Sequence, residues 1–231
     1  MLKLDGVRWS EGDFTLSADW SADPGDRIAV IGPSGAGKST LLALIAGFLA
    51  PSAGRITWQG RDLGPLAPGA RPISILFQDQ NLFPHLTLTQ NLGFGLSPNL
   101  RLGPDDAARI DAALTRVGLA DLGSRKPGQL SGGQQSRAAL ARALLRARPI
   151  LLLDEPFAAL GPALKVEMLT LVREVAKATG ALTLLVTHDP NDARQFARRT
   201  ILVDVGRAAP PQDTEALFAH PPSALRDYLG T

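Results

Sequence analysis

Gly32-Pro33-Ser34-Gly35-Ala36-Gly37-Lys38-Ser39-Thr40 decides the fold. It fits G-x-x-x-x-G-K-[ST], the spacing of a loop that cradles phosphates. Just before it, Ile28-Ala29-Val30-Ile31 is a short unbroken apolar run, the pattern of a strand buried on both faces. Just after it, Leu41, Leu42, Leu44, Ile45 and Phe48 recur at helical spacing, and Pro51 closes the predicted helix. Strand, glycine-rich turn, helix is the order this chemistry requires. The glycines let successive N–H groups turn inward around phosphate oxygens, and the helix start adds the positive end of its dipole. In such a loop Lys38 reaches the β- and γ-phosphates and the Ser39 hydroxyl ligates Mg²⁺. A chance match in one chain is on the order of one in a hundred. The loop marks a nucleoside triphosphatase and does not say which kind.

Outward from the loop, residues 2–9 and 13–20 read as paired strands, and Arg55 to Trp58 and Ile73 to Phe77 as further strands. Residues 60–72, rich in Gly and Pro, read as loop. From Pro84 to Arg148 the pattern turns helical, about 88–95, 104–118 and 132–147. Buried-type strands return at Ile150–Leu153, Leu182–Thr187 and Thr200–Val205, with helices near 162–178 and 190–198, then short helices around 213–219 and 222–229. Strands alternating with helices predict an α/β fold: a P-loop core with a mostly parallel sheet, an antiparallel β-subdomain and an inserted helical subdomain. The expected organisation is one domain over 1–231, with 1–83 and 149–231 as the core and 84–148 as the insertion.

Composition excludes several classes. At 45% hydrophobic and 20% charged the chain is ordinary for a globular protein, and a net charge of +2 is too small to imply a nucleic-acid partner. There is no cysteine, which removes disulfide and thiol chemistry, and His85, His188 and His220 without cysteine do not make a structural zinc site. Only five of the 24 basic residues are Lys, and one of them stands in the phosphate loop. Met1 to Asp5 lacks the apolar core of a signal peptide, and Leu41 to Ala50 is half the length of a bilayer span. The expectation is a cytoplasmic protein that meets a membrane only through a partner.

Two further segments carry chemistry. Ile150-Leu151-Leu152-Leu153-Asp154-Glu155 is a buried strand ending in paired carboxylates. Beside a phosphate loop, Asp154 would hold Mg²⁺ and Glu155 would polarise an attacking water. Leu130-Ser131-Gly132-Gly133-Gln134 heads a helix and makes a second anion-binding turn. One nucleotide needs one phosphate loop. A second exposed turn makes sense if it closes on the nucleotide of another copy.

The whole set resembles the ABC ATPase family: residues 32–40, Gln78 after the strand ending in Phe77, residues 130–134, Asp154-Glu155, and His188 after the strand ending in Thr187, all in the family's order. The resemblance covers essentially the whole chain. It implies ATP and Mg²⁺ as cofactors, Glu155, His188 and Gln78 as catalytic residues, and Ser39, Gln78 and Asp154 around the metal. It implies Gly32, Pro33, Ser34, Gly35, Ala36, Gly37, Lys38, Ser39 and Thr40 on one nucleotide face, with Ser131, Gly132, Gly133 and Gln134 reaching it from a second copy. It also implies transmembrane permease subunits, a substrate-binding protein acting through them, no nucleic acid, and a place on the cytoplasmic face of the cell membrane. For the adenine, the position suggested by local spacing is Glu11, which cannot stack; Trp9 is the choice, with Phe14 also nearby. After Glu155 the family usually reads Pro, a bulky residue, then Ser-Ala-Leu-Asp. Here Ala158 and Gly161 replace the Ser and the Asp, which implies looser coupling between paired sites.

Residues 77–87 and 91–96 look like those of bacterial importers fed by a binding protein. Residues 45–49 and 163–172 look closest to ATPases of thiamine importers. Uptake of thiamine or its phosphates is the expectation. Iron(III) or polyamine import is the alternative, and a soluble non-transport ABC ATPase a more distant one.

Overall fold

The computed structural model describes residues 1–77 and 82–229, the last three as backbone alone. The first part of the chain forms β1 (Leu2–Glu11), β2 (Phe14–Ala22), β3 (Arg27–Ile31), α1 (Lys38–Ala46), β4 (Ala53–Trp58), β5 (Arg61–Asp62) and β6 (Ile73–Leu76). Three helices follow: α2 (Leu88–Leu96), α3 (Asp106–Arg116) and α4 (Gly132–Leu145). Then come β7 (Ile150–Asp154), α5 (Pro162–Thr179), β8 (Leu182–Val186), α6 (Pro190–Phe196) and β9 (Arg199–Asp204). Two-residue strands β10 (Arg207–Ala208) and β11 (Gln212–Asp213) lead to α7 (Thr214–Ala219) and α8 (Ser223–Leu229).

The unbroken apolar runs pair as expected of strands covered on both faces. β9, β3, β8, β7 and β6 form one continuous parallel block. Alternation along each strand then splits the core in two. Ile28 and Val30 join Leu41, Leu42, Leu44 and Ile45 of α1 and the inner faces of β1, β2 and β4. Ala29 and Ile31 face the opposite way, into a cluster with residues of α2 through α6. β1, β2, β4 and β5 pair antiparallel. Strand β10 links the two parts of the sheet, parallel to β2 and antiparallel to β9. Helices α2, α3 and α4 lie in sequence between the neighbouring strands β6 and β7, so they are an insertion in the parallel block.

Helix α1 ends at Ala46, earlier than a pattern running to Phe48 predicts. Gly47 is left-handed at φ +88° and closes the helix with its N–H on the carbonyls of Ala43 and Leu44. Phe48 therefore leaves the helix and is 53% exposed. Arg71 packs over this end. Its Nη1 donates to the carbonyls of Leu44 at 2.9 Å and Ile45 at 2.7 Å, placing a cation at the negative end of the helix dipole. A methyl group on Gly47 would lie 2.4 Å from Arg71 Nε, so the two residues fit only together.

Candidate active site

The parallel block brings the site segments to one end of the sheet. Val30 of β3 is level with Val186 of β8, and Val186 is level with Asp154 of β7. The loop after β3, the turn after β8 and the carboxylates ending β7 therefore emerge side by side. The carboxyl ends of parallel strands are where α/β sheets bind ligands.

The loop over residues 32–37 turns at Gly32, Gly35 and Gly37, where the backbone has positive φ. Gly32 lies at φ +149°, and a Cβ there would fall 1.9 Å from the Val203 carbonyl oxygen of β9. Gly37 lies at φ +107° against the Phe14 ring, with a Cβ at 2.9 Å from its Cζ. Gly37 has no side chain to cap α1, so the first-turn N–H groups, which have no partners inside the helix, are left for a ligand. Lys38 is buried, and its Nζ donates to the carbonyls of Gly32 and Pro33 at 2.8 Å each. Burial lowers its pKa, opposed by the charges of Glu155 and Asp154.

Asp154 is 6% exposed, and its Oδ1 is buried without a hydrogen-bond partner. Burial raises its pKa, against a hydrogen bond donated by Ser39. An unpartnered carboxylate oxygen beside a hydroxyl fits a hard divalent cation, which takes few protein ligands and fills its shell with phosphate oxygens and water. Glu155 follows in left-handed backbone at φ +45°, a conformation uncommon for a residue with a side chain. Its Oε2 is 3.4 Å from His188 Nδ1. Glu155, Lys165, Thr187, His188 and Asp192 line a cavity of about 70 Å³, room enough for water.

Ser131 lies elsewhere, at the start of α4, exposed together with Gly132. It closes a capping box: its Oγ accepts from Gln134 N at 3.3 Å, and Gln134 Oε1 accepts from Ser131 N at 2.9 Å. The Ser131 hydroxyl proton is not used in that exchange. The nearest atom to a methyl on Gly132 would be Ala159 Cβ at 4.0 Å, so the turn sits beside the exposed 158–161 segment and is otherwise open.

The structure thus gathers residues 32–40, Asp154, Glu155 and His188, and sets residues 131–134 apart on their own helix. Gln78 lies outside the described residues. Trp9 and Phe14 meet edge to face at 6.3 Å, with Phe14 against the phosphate loop and Trp9 one ring further out. Sequence reasoning missed Lys165, which reaches the His188 turn from α5. No local spacing joins residues 24 positions apart.

A sequence model of the family described as ABC transporter matches residues 16–158. Over the full length of both chains this protein is 73% identical to the thiamine import ATP-binding protein ThiQ of Cereibacter sphaeroides. It is 46% identical over 224 residues to the protein of the same name in Shigella boydii, covering 97% of each. A dimeric ATP-binding cassette solved in a post-hydrolysis state with ADP and Pi superposes with a TM-score of 0.83 at 30% identity, covering 93% of this chain and 99% of that one. A dimeric bacterial ABC transporter cassette gives the same values. With its phosphate loop, paired carboxylates and displayed serine turn on such a sheet, the chain belongs to the ABC transporter family.

Proposed function

We propose that this chain is the ATP-hydrolysing subunit of a thiamine importer and that two copies, head to tail, enclose two ATP·Mg²⁺ between the loop of one and the Ser131 turn of the other. The observation that carries the cargo is the 73% identity over full length to a thiamine import ATP-binding protein. The observation that favours the dimer is the exposure of Ser131 and Gly132 beside the equally exposed Ala158, Ala159 and Gly161. A two-fold axis would set each such face against the other copy's loop.

In this reading residues 32–40 bind the phosphates through backbone amides, and Lys38 transfers its bonds from the Gly32 and Pro33 carbonyls to the β- and γ-phosphates. Ser39 and Asp154 hold Mg²⁺, which when bound neutralises charge on the β- and γ-phosphates. Glu155 orients and polarises the attacking water, and His188 contacts the γ-phosphate. Gly132 and Gly133 direct their N–H groups, and Ser131 its hydroxyl proton, at the partner copy's γ-phosphate, while Gln134 holds the turn. Trp9 stacks on adenine. Leu82 and Phe83 line a cleft of about 550 Å³ with Phe94, Arg142 and Arg146, a seat for a permease segment. No helix among the described residues is long and apolar enough to cross a membrane. In this reading the chain attaches at the cytoplasmic face through the permease.

Glu155→Gln tests the chemistry. Turnover should fall about 10²–10⁴-fold while ATP binding persists and an ATP-bound dimer accumulates. A Gln variant that still turns over at the native rate refutes the role given to Glu155. Labelled uptake in cells lacking the chain tests the cargo: thiamine uptake should be lost, and iron(III) and polyamine uptake kept. Loss of either of the latter instead would reassign the importer.

A further inference from the structure

His188 lies between two residues that are each fixed in place. Thr187 Oγ1 donates to Asp192 Oδ2 at 2.7 Å, and accepts from Asp189 N at 3.1 Å. Asp189 Oδ1 accepts from Asn191 N at 2.9 Å. The His188 side chain itself is 61% exposed, so its position comes from its neighbours more than from burial.

Those neighbours are joined by one cation from a different element. Lys165 Nζ is 2.7 Å from Asp189 Oδ2 and 2.9 Å from Asp192 Oδ1. Two carboxylates this close to one another repel unless a charge lies between them. The Lys165 ammonium supplies it, and holds the Asp189 carboxyl below its ordinary range by that hydrogen bond. Lys165 stands in the first turn of α5, its N–H bonded to the carbonyl of Gly161, the helix N-cap. Gly161 ends the 158–161 segment, in which Ala158, Ala159 and Gly161 are exposed. A chain of hydrogen bonds and ion pairs runs from that segment through the first turn of α5 to the residues on both sides of His188.

We infer that Lys165 is a positioning residue that locks the His188 turn to α5, so that the placement of His188 follows the placement of the exposed 158–161 segment. Contact of a second copy with that segment is then sensed at His188 through one ammonium group. The inference rests on the assignment of His188 to the γ-phosphate.

A double-mutant cycle on the full chain, with ATPase rate and nucleotide affinity measured together, tests it. Lys165→Ala should lower kcat about 10–100-fold, since small misplacements of a reacting group have effects of that size, with KM for ATP unchanged. Lys165→Arg, which keeps a cation able to meet both carboxylates, should recover most of that loss. In a His188→Ala background, Lys165→Ala should lower kcat no further, because the residue it positions is gone. Additive losses in the double variant, or a rise in KM with kcat unchanged, would overturn the inference and leave Lys165 a structural residue. If His188→Ala alone leaves kcat unchanged, the assignment of His188 fails first, and the inference with it.

Discussion

The phosphate loop and the Ser131 turn both put small residues in front of a helix N-terminus, but only one is complete within the chain. Gly32 and Gly37 are pressed against Val203 and Phe14, and Lys38 already bonds to two loop carbonyls. The loop's shape is set by the protein's own packing. The Ser131 turn is held only by its own capping box, and its glycines face the open or the 158–161 segment. A preformed cradle binds with little reorganisation. A turn displayed at the surface has nothing to bind until another body arrives. In the proposed dimer, this difference would let one chain hold ATP and still need a second copy to hydrolyse it.

Glycine substitutions test this contrast most severely. Gly32→Ala places a methyl group 1.9 Å from the Val203 carbonyl oxygen, backbone that cannot yield, and should destabilise by more than about 4 kcal/mol. The expected result is loss of folded protein on thermal or urea unfolding. Gly132→Ala meets only Ala159 Cβ at 4.0 Å and should stay within about 0.5 kcal/mol of the native chain. Its turnover should nevertheless fall, because in the proposed dimer the methyl group would stand in the way of the other copy's phosphate. Equal stability losses at both positions would erase the distinction between the turns.

Ligand binding by single copies sharpens it. Lys38→Ala removes a charge-assisted contact and should weaken ATP binding about 10–100-fold. Ser131→Arg should leave the first ATP bound at native affinity, yet abolish ATP-dependent dimerisation and reduce turnover about 10²–10³-fold, as removal of one transition-state donor does. A Ser131→Arg chain that binds ATP as poorly as Lys38→Ala would mean both turns grip the nucleotide within one copy.

The complete half also carries a burden that the displayed half lacks. Asp154 is buried with an unpartnered oxygen, and burial raises its pKa above the ordinary 3.8. A raised carboxyl binds more protons folded than unfolded, so stability falls as pH rises from that value through the folded one, and the penalty is complete above both. Asp154→Asn should therefore stabilise the nucleotide-free chain at neutral pH by about 1–3 kcal/mol. The advantage should shrink as pH falls toward 3.8, and Mg²⁺-dependent hydrolysis should be lost. A pH-independent gain would assign the effect to packing and not to charge.

Both turns are legible in the sequence, because each is a local pattern. The β3 run, the glycine spacing and the Asp154-Glu155 pair are local patterns, and each is found where the pattern places it. What escaped notice depends on contacts between distant residues. Lys165 finds Asp189, Arg71 finds the end of α1, and Phe14 finds Gly37, and no periodicity encodes any of these. Strands β10 and β11 have two residues each, too few to alternate. Apolar spacing alone carries α1 on to Phe48, whereas the left-handed Gly47 stops the helix.

The smallest expected effect concerns Gly161, one of the two positions that the sequence reading sets apart from the family's usual pattern. Gly161 caps α5 with extended backbone at φ −67°, and nothing lies within 4 Å of the position a Cβ would take. The fold therefore does not require glycine there. An aspartate fits, and its carboxylate can accept the first-turn N–H groups that Gly161 leaves without a side-chain cap. Gly161→Asp should stabilise α5 by a few tenths of a kcal/mol, the usual margin of an Asp cap over Gly, read as a small rise in Tm. It should also make ATPase steeper in ATP concentration in the assembled transporter, because a new carboxylate on the exposed segment gives the paired copy something to contact. A rise in Tm with unchanged cooperativity would show that the segment is displayed without being read, and the contrast between the turns would then rest on the Ser131 side alone.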